Sequence, residues 1–195
     1  MAWIDIVPPE RAEGALAELY HSIAGARGGV AEVHQVQSLN PKAMAAHLEL
    51  YKAVVFQRSS LSRRQRERIG VVVSAANACA YCVAHHGQAL RGLGEDPEVA
   101  DALERGDVSS APLPAADHAL LTLAARVATS AASTTEDDLA ALRGHGFDDR
   151  ALLDAALTVG YFSFVNRLVL MLGVRLEEGY EATCGPDVKE EAVTG

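Results

Sequence analysis

Two cysteines separated by two residues are the feature of this sequence that most directly suggests chemistry. Cys82 follows Cys79 by three residues, His86 follows Cys82 by four, and Glu67 lies upstream. On a helix, offsets of three and four residues place side chains on one face, and Cα atoms about 5 Å apart are close enough for a disulfide. A helix N-terminus and a neighbouring imidazolium both lower the pKa of a thiol. The spacing therefore predicts a redox-active dithiol with a histidine as its acid–base partner.

Glu67 can join this site only if the chain reverses direction. On one unbroken helix, Glu67 and Cys79 would lie about 18 Å apart, too far for any direct interaction. Asn77 is a favoured N-cap residue, so we predict that it begins a second helix. In an antiparallel hairpin about Asn77, Glu67 and His86 lie at nearly the same distance from the turn. We therefore expect the Glu67 carboxylate to pair with the His86 imidazole.

Zinc binding is the rival interpretation of the same residues. Cys79, Cys82 and His86, with His85 or Glu67, have side chains that coordinate Zn²⁺. The sequence has no second cysteine pair to complete an ordinary structural zinc site, so redox chemistry is favoured and no metal is predicted. Covalent haem is excluded because the attachment motif needs histidine directly after the second cysteine, where this chain has valine.

The elements that position these residues are predicted to be helical. Apolar residues recur with a period near 3.6 throughout, and alternating strand patterns are few. We predict helices beginning at Asn40-Pro41 and near Ser60 or Ser62, and a long helix over about 148 to 172. The fold class is therefore all-α: one helical bundle over residues 1–176, followed by a polar C-terminal tail over 177–195. Met44 and Met171 occupy apolar stripes and are expected in the core.

Charge and hydropathy exclude two classes of partner. The net charge of −9 argues against nucleic acid, because proteins that bind phosphate backbones concentrate Lys and Arg. The apolar stretch from Ala151 to Val174 is interrupted by Asn166 and Arg167, so we predict no membrane span. A cluster of arginines is expected on a solvated or subunit-facing helix surface: Arg63, Arg64, Arg66 and Arg68.

The cysteine count indicates the compartment. Three cysteines are too few for a secreted disulfide scaffold, and the N-terminal residues lack the basic and apolar regions of a secretory signal. We therefore expect a cytoplasmic protein. Cys184 lies in the polar tail and is predicted to be a free thiol.

Three further residues are candidates for the pocket or the relay. Tyr81 lies between the cysteines and either donates to a thiolate or lines the pocket. His85 points about 100° away from His86 around a helix, which favours a packing or interface role. Asn166 is a polar residue in an apolar helix, where burial is costly unless its hydrogen bonds are satisfied, so we place it at the pocket floor or a subunit interface.

The pattern of a glutamate, eleven residues, Cys-x-x-Cys, three residues and a histidine resembles the alkyl hydroperoxidase D branch of the carboxymuconolactone decarboxylase-like superfamily. Within it, residues 3 to 176 are similar to the subgroup called uncharacterised peroxidase-related proteins. The supporting matches are Trp3-Ile4, Pro9-Glu10, Gln37-Ser38-Leu39-Asn40-Pro41, Leu61-Ser62-Arg63, Glu67, Ser74-Ala75-Ala76-Asn77, Cys79-Ala80-Tyr81-Cys82, His85-His86 and Phe164-Val165-Asn166-Arg167.

This resemblance implies an all-helical homotrimer or homohexamer that reduces hydroperoxides through the dithiol, without a cofactor. By analogy, Cys82 is the peroxide-attacking thiolate, Cys79 is the resolving thiol, and Glu67 with His86 forms a proton relay. A thiol reductant, thioredoxin-like or lipoyl-linked, then reopens the disulfide. Tyr81 stands where the well-described hydroperoxidases carry a histidine. Two alternatives stay open: a thiol–disulfide reductase acting on proteins, and a zinc-binding or ligand-binding helical module without redox turnover.

Overall fold

The computed structural model describes residues 2–27, 29–177 and 179–180, and these form an all-helical structure without strands. Short 3₁₀ turns and one π-helical turn, Lys52–Phe56, connect the α-helices. The helices, in chain order, are α1 Gly14–Arg27, α2 Glu32–Gln35, α3 Pro41–Tyr51, α4 Arg63–Ala76, α5 Ala80–Gly92, α6 Pro97–Glu104, α7 Ala115–Ser130, α8 Glu136–Gly144 and α9 Asp149–Leu172. The predicted fold class is confirmed.

Helix α4 lies at the centre and packs against α5, α6, α7 and α9. Its N-terminus is a capping box in which Ser62 and Gln65 satisfy each other's backbone N–H groups, as the Ser62 prediction requires. Ile69 and the three valines Val71–Val73 are buried, so α4 supplies the middle of the main hydrophobic core. Asn40 likewise caps α3 through the N–H of Ala43, which confirms the predicted start of that helix.

The expected surface position of the arginine cluster is wrong for two of its members. Arg66 is 3% exposed and Arg68 is 8% exposed, because other helices cover α4 on all sides. Each buried guanidinium has acceptors from other elements, as burial of a charge requires. Arg68 forms ion pairs with Glu95 and Asp117, and Arg66 donates to a loop carbonyl.

The α4–α5 hairpin forms as predicted, but its capping differs. Asn77 is the C-cap of α4, and Cys79 is the N-cap of α5. Ala78 between them has φ +57°, a left-handed conformation that non-glycine residues rarely adopt and that here makes the reversal short. The side chain of Asn77 therefore does not cap α5 and instead donates to Asn166 on α9.

Helix α9 runs along α4 and α7 and ends at Gly173, whose left-handed φ of +64° closes the helix. Its length and mean hydropathy of 1.5 would allow it to cross a membrane, but 44% of that window is buried against the protein. The core helix of a globular protein has the same properties, so this is weak evidence for a span. Met44 is buried as expected, whereas Met171 is 79% exposed, so its predicted core position is wrong.

Residues at the predicted start of the tail contact the body of the protein. Glu177 and Tyr180 lie against Tyr81 and His85 of α5. The boundary at residue 176 stays a prediction, and most of the tail, including Cys184, lies outside the described residues.

Gly70 allows α9 to approach α4 closely. A Cβ at this position would lie 2.5 Å from the ring of Phe162, which is fully buried and cannot move aside. We expect Gly70→Ala to lower the free energy of unfolding by about 1–3 kcal/mol through overpacking. Gly25→Ala is the matched control, since Gly25 is helical with open space around its Cβ position, and there alanine should stabilise by roughly 0.5–1 kcal/mol. Urea unfolding measures both; equal effects would contradict the packing argument.

Candidate functional site

The two cysteines lie together at the start of α5, inside the protein. Their sulfurs are 2.9 Å apart, and both cysteines are free. Cys79 is 0% exposed and Cys82 is 2% exposed, so neither thiol meets bulk solvent in this chain. A pair this close can form a disulfide with little movement of the backbone.

Glu67 and His86 meet across the hairpin. The Glu67 Oε2 atom is 2.7 Å from His86 Nδ1, which confirms the predicted contact. Because an ionised carboxylate only accepts hydrogen bonds, Nδ1 carries the hydrogen and Nε2 is left to exchange a proton. His86 lies one turn beyond Cys82, so its imidazole is on the same face of α5 as that thiol.

Arg63 completes this ion pair and was not among the predicted site residues. Its Nε and Nη2 atoms lie 3.0 and 2.5 Å from Glu67 Oε1, and its guanidinium stacks over the Phe56 ring at 3.7 Å. The π-helical turn Lys52–Phe56 places that ring, and such turns are frequent at functional sites. The four-residue spacing of Arg63 and Glu67 on one predicted helix indicates an ion pair, so this contact could be predicted from the sequence.

The Glu67 carboxylate is held in its ionised form. Burial by itself raises the pKa of Glu67, but the charge and hydrogen bond of His86 and those of Arg63 outweigh it and lower the pKa to about 2. Glu67 therefore accepts no proton near neutral pH. The ionised carboxylate accepts from His86 Nδ1 and thereby fixes the orientation of the imidazole.

The two thiols are hydrogen-bonded to each other. That bond lowers the pKa of Cys79, while the bond, burial and the negative charge of an ionised Cys79 raise the pKa of Cys82 well above its usual value. In the resting arrangement the first proton to leave the pair is therefore that of Cys79.

An amide on α9 lies beside the sulfurs. Asn166 is fully buried; its Oδ1 accepts from Asn77 Nδ2 at 3.0 Å, and its Nδ2 donates to the Ser74 hydroxyl at 3.0 Å. Its amide is the weakest of the influences on the two thiols and acts to lower the pKa of each. The sequence predicts Asn166 at the pocket floor or a subunit interface and gives Asn77 only a capping role, so neither of these contacts is predicted.

Aromatic side chains form the remaining wall of the site. The Phe162 ring meets the His86 imidazole edge-on at 4.5 Å, and Tyr51 lies 6.4 Å from the same imidazole, centroid to centroid. Tyr51 packs on Tyr161, whose hydroxyl is 2.9 Å from His47 Nε2. Burial lowers the pKa of His47 to about 4, so this second imidazole is neutral at physiological pH.

Tyr81 and His85 occupy a different face of α5 from the sulfurs. Their rings stack at 4.4 Å; Tyr81 accepts a hydrogen bond from the Val33 backbone N–H, and His85 Nε2 is 3.3 Å from a Glu177 carboxylate oxygen. Burial, with the nearby charge of Glu177, raises the pKa of Tyr81. Tyr81 therefore meets the N-terminal and C-terminal segments in this arrangement.

A cleft of about 580 Å³ lies on the opposite side of α5. Ala80, Ala84 and Gln88 line it, and successive helical residues are about 100° apart, so the cleft faces away from Cys82 and His86. It does not open onto the sulfurs.

Metal ligation has little support in the described ranges. There, no group of three or more His, Cys, Asp or Glu side chains is arranged to hold a metal ion. This arrangement does not favour the zinc alternative.

The Arg63 contact predicts a shift in acid stability. Because its pKa is lowered, ionised Glu67 stabilises the folded state. This contribution, on the order of 3 kcal/mol, is present above the unfolded-state pKa of about 4.5 and is lost as pH falls towards about 2. Arg63→Met should raise the folded-state pKa of Glu67 towards the unfolded-state value, so this contribution shrinks and less stability is lost as pH falls. Arg64→Met is the control, since Arg64 binds the Leu93 carbonyl. Urea unfolding between about pH 7 and pH 3 measures the difference, and parallel curves for the two variants would contradict it.

Solved structures resemble this chain over most of its length. A protein from Ralstonia eutropha JMP134, described as an alkylhydroperoxidase AhpD core and uncharacterised peroxidase-related protein, matches with 27% identity and a TM-score of 0.84, covering 94% of this chain and 96% of its own. An uncharacterised peroxidase-related protein from Silicibacter sp. TM1040 matches with 29% identity, a TM-score of 0.83 and the same coverage.

A more distant structure shows that this fold also serves other chemistry. A variant of the debrominase Bmp8 in complex with 2,3,4-tribromopyrrole matches with 17% identity and a TM-score of 0.76, covering 91% of this chain and 93% of its own. A search of curated proteins finds no match to the sequence. Residues 41–125, which include α4, the dithiol and His86, match the model of the carboxymuconolactone decarboxylase family, and the described residues share the helical fold of the AhpD-like structures.

Proposed function

We propose that this protein is a dithiol-dependent peroxidase that reduces small hydroperoxides. The observation that carries the proposal is the Glu67–His86 ion pair beside two free sulfurs 2.9 Å apart. A thiolate with an adjacent acid–base group is the minimum that peroxide reduction requires.

In the proposed reaction, the Cys82 sulfur attacks the O–O bond and becomes a sulfenic acid, and the alkoxide leaves with a proton from His86. The Cys79 sulfur then attacks the Cys82 sulfenic sulfur, its thiol proton leaves with the displaced hydroxide as water, and the disulfide forms. His86, one turn away from Cys82, takes the proton of the Cys82 thiol before attack. Glu67 stays ionised throughout and stabilises the imidazolium.

Burial of the sulfurs narrows the choice of substrate and reductant. A disulfide on a folded protein cannot approach two thiols that are almost fully enclosed, so burial favours a small hydroperoxide over the protein–disulfide alternative. For the same reason we favour a lipoyl-linked arm over a thioredoxin-like protein as reductant. We place the reaction in the cytoplasm, where a dithiol is kept reduced.

Sulfenic acid labelling tests the mechanism and the roles of the two thiols. In a Cys184→Ser background, peroxide should give a Cys79–Cys82 disulfide by mass mapping, and Cys82→Ser should abolish turnover. In Cys79→Ser, the sulfenic acid should accumulate on Cys82 and react with dimedone. Labelling of Cys79 in the Cys82→Ser variant, with continued turnover, would reverse the assignment, as the lower pKa of Cys79 allows. No oxidation of either thiol would contradict the peroxidase.

Reductive debromination is the second candidate. The debrominase Bmp8 shares the fold, and the aromatic wall around His86 suits a flat halogenated ring. The same dithiol would reduce the carbon–bromine bond to carbon–hydrogen and release bromide while forming the disulfide. Comparing a hydroperoxide with a bromopyrrole under one reducing system separates the two activities.

We also propose that the protein acts as a homo-oligomer, a trimer or a hexamer, with α9 in the interface. Five large apolar side chains are exposed on α9, and four of them are spaced by four and seven residues: Leu153, Leu157, Phe164 and Met171. Gly160, exposed and with open space, lies within this stripe. Such spacing is that of a helix–helix seam, so a second copy is the occupant that fits.

A charge in the α9 stripe should weaken this assembly. Leu157 is 42% exposed and Leu93, on another face of the protein, is 37% exposed, so the two make a matched pair. We expect Leu157→Glu to reduce the mass measured by light scattering towards that of one chain, and Leu93→Glu to leave it unchanged. A wild-type protein that is already monomeric, or equal masses for both variants, would contradict an α9 interface.

A further inference from the structure

We propose that the cleft of about 580 Å³ on the outer side of α5 is a second binding site, which takes a small, flat organic monoanion such as an aromatic carboxylate. Cavities of roughly 300–1,000 Å³ are typical of small-molecule sites in proteins. The cleft shares no residue with the dithiol site and faces away from it, so this binding goes beyond peroxide reduction and does not depend on it.

The floor of the cleft is apolar and has no long side chain. It is formed by the end of α4, the hairpin turn and the first two turns of α5: Ala75, Ala78, Ala80, Val83 and Ala84. The three residues from α5 follow one another by three and four positions, so they lie on one face of that helix. A ring can lie against such a surface, and burial of its apolar area favours binding.

One wall of the cleft is aromatic. Tyr180 lines it, and the Tyr180 ring lies 5.4 Å from the His85 ring, centroid to centroid. His85 in turn stacks on Tyr81 and lies 3.3 Å from a Glu177 carboxylate oxygen. These contacts hold Tyr180 at the cleft, where its ring can pack against a flat ligand.

The charged groups that line the cleft have a net positive charge. Arg91 forms an ion pair with Glu104, which also lines the cleft, so these two charges compensate each other. Arg105, the exposed C-cap of α6, makes no ion pair within the described part of the chain. The nearby Asp107 carboxylate accepts from Ser109 and Ser110 instead. The Arg105 guanidinium is therefore available to a carboxylate, whose two oxygens match its N–H groups.

Two neighbouring residues of α5 indicate that the cleft has room and hydrogen bonds for a ligand. A Cβ at Gly87 would collide with the Glu104 carboxylate, so glycine at this position lets Glu104 reach Arg91. Gln88 is half-buried in the cleft, and its side-chain amide makes no hydrogen bond to any of the described residues. Because partly enclosed polar groups normally have partners, this amide is a ready contact for a ligand or its water.

Calorimetric titration of the full chain with two matched probes tests this site. 2-Naphthoate and 2-naphthamide have the same ring, but only the first carries a negative charge. We expect naphthoate to bind with a Kd about fivefold lower than that of naphthamide, the size of effect that one exposed ion pair gives. Arg105→Gln should remove this preference. Arg58→Gln is the control, since Arg58 is also exposed and has no ion pair among the described residues, and it should leave the preference unchanged.

A second variant locates the probes on the molecule. Ala84 is half-buried on the cleft floor, so Ala84→Trp should fill the cleft and weaken the binding of both probes at least tenfold. Probe binding that survives in folded Ala84→Trp, or a preference for naphthoate that survives in Arg105→Gln, would overturn the proposed site. Should Ala84→Trp fail to fold by circular dichroism, Arg105→Gln still decides, because its side chain is exposed.

A variant without the dithiol separates this site from the proposed function. Replacing both Cys79 and Cys82 by serine should leave the Kd of naphthoate unchanged, whether or not the wild-type protein reduces peroxides. Loss of naphthoate binding in that double variant would place the probe at the sulfurs and overturn the second site. Absence of naphthoate binding to the wild-type protein would overturn it as well, and would leave the peroxidase standing.

Discussion

The contacts of the buried Glu67 carboxylate with Arg63 and His86 are the constraint on which the rest of the site depends. A carboxylate that is 0% exposed is costly to bury, and here Arg63 and His86 offset that cost from two directions. Arg63 comes from the same helix, but His86 comes from the other arm of the hairpin. The folding of the α4–α5 hairpin and the ionisation of Glu67 therefore depend on each other. Without the reversal at Ala78, the Glu67 carboxylate and the His86 imidazole could not meet.

This constraint is one reason why α4, a central helix, carries so many charged residues. The helix lies at the centre of the bundle, yet it carries four arginines and a glutamate in its first two turns. The buried charged groups contact different neighbours. Glu67 contacts His86 of α5, Arg68 forms ion pairs with Glu95 and Asp117, and Arg66 donates to a backbone carbonyl in the loop before the helix. The N-terminal half of α4 is thus held by polar contacts and the C-terminal half by valines. Gly70 lies between the two halves, where Phe162 of α9 reaches in beside His86.

The local parts of this arrangement could be predicted from the sequence, and the parts that depend on distant segments could not. Helix class, the caps at Asn40 and Ser62 and the Glu67–His86 pairing follow from periodicity and spacing within the chain. The burial of Arg66 and Arg68 depends on how many helices surround α4, which no local pattern shows. The exposure of Met171 has the same cause, because an apolar stripe predicts a contact but not whether the partner lies in the same chain. Asn166 was identified from the cost of burying it, but its partners Ser74 and Asn77 became visible only when α4 and α9 were placed side by side.

The enclosure of the dithiol has a chemical consequence of its own. The sulfurs are 2.9 Å apart in the reduced form, and a disulfide bond is about 2.05 Å, so oxidation needs a side-chain movement of less than about 1 Å. The surrounding groups, Asn166 on α9 and Ser74 on α4, belong to helices that are fixed by core packing, so they can stay in place through the cycle. A sulfenic acid formed here is within reach of its partner thiol as soon as it appears, which leaves little time for further oxidation to the irreversible sulfinic acid. Burial thus slows the approach of large reactants but protects the intermediate, a balance that suits a small oxidant better than a protein substrate.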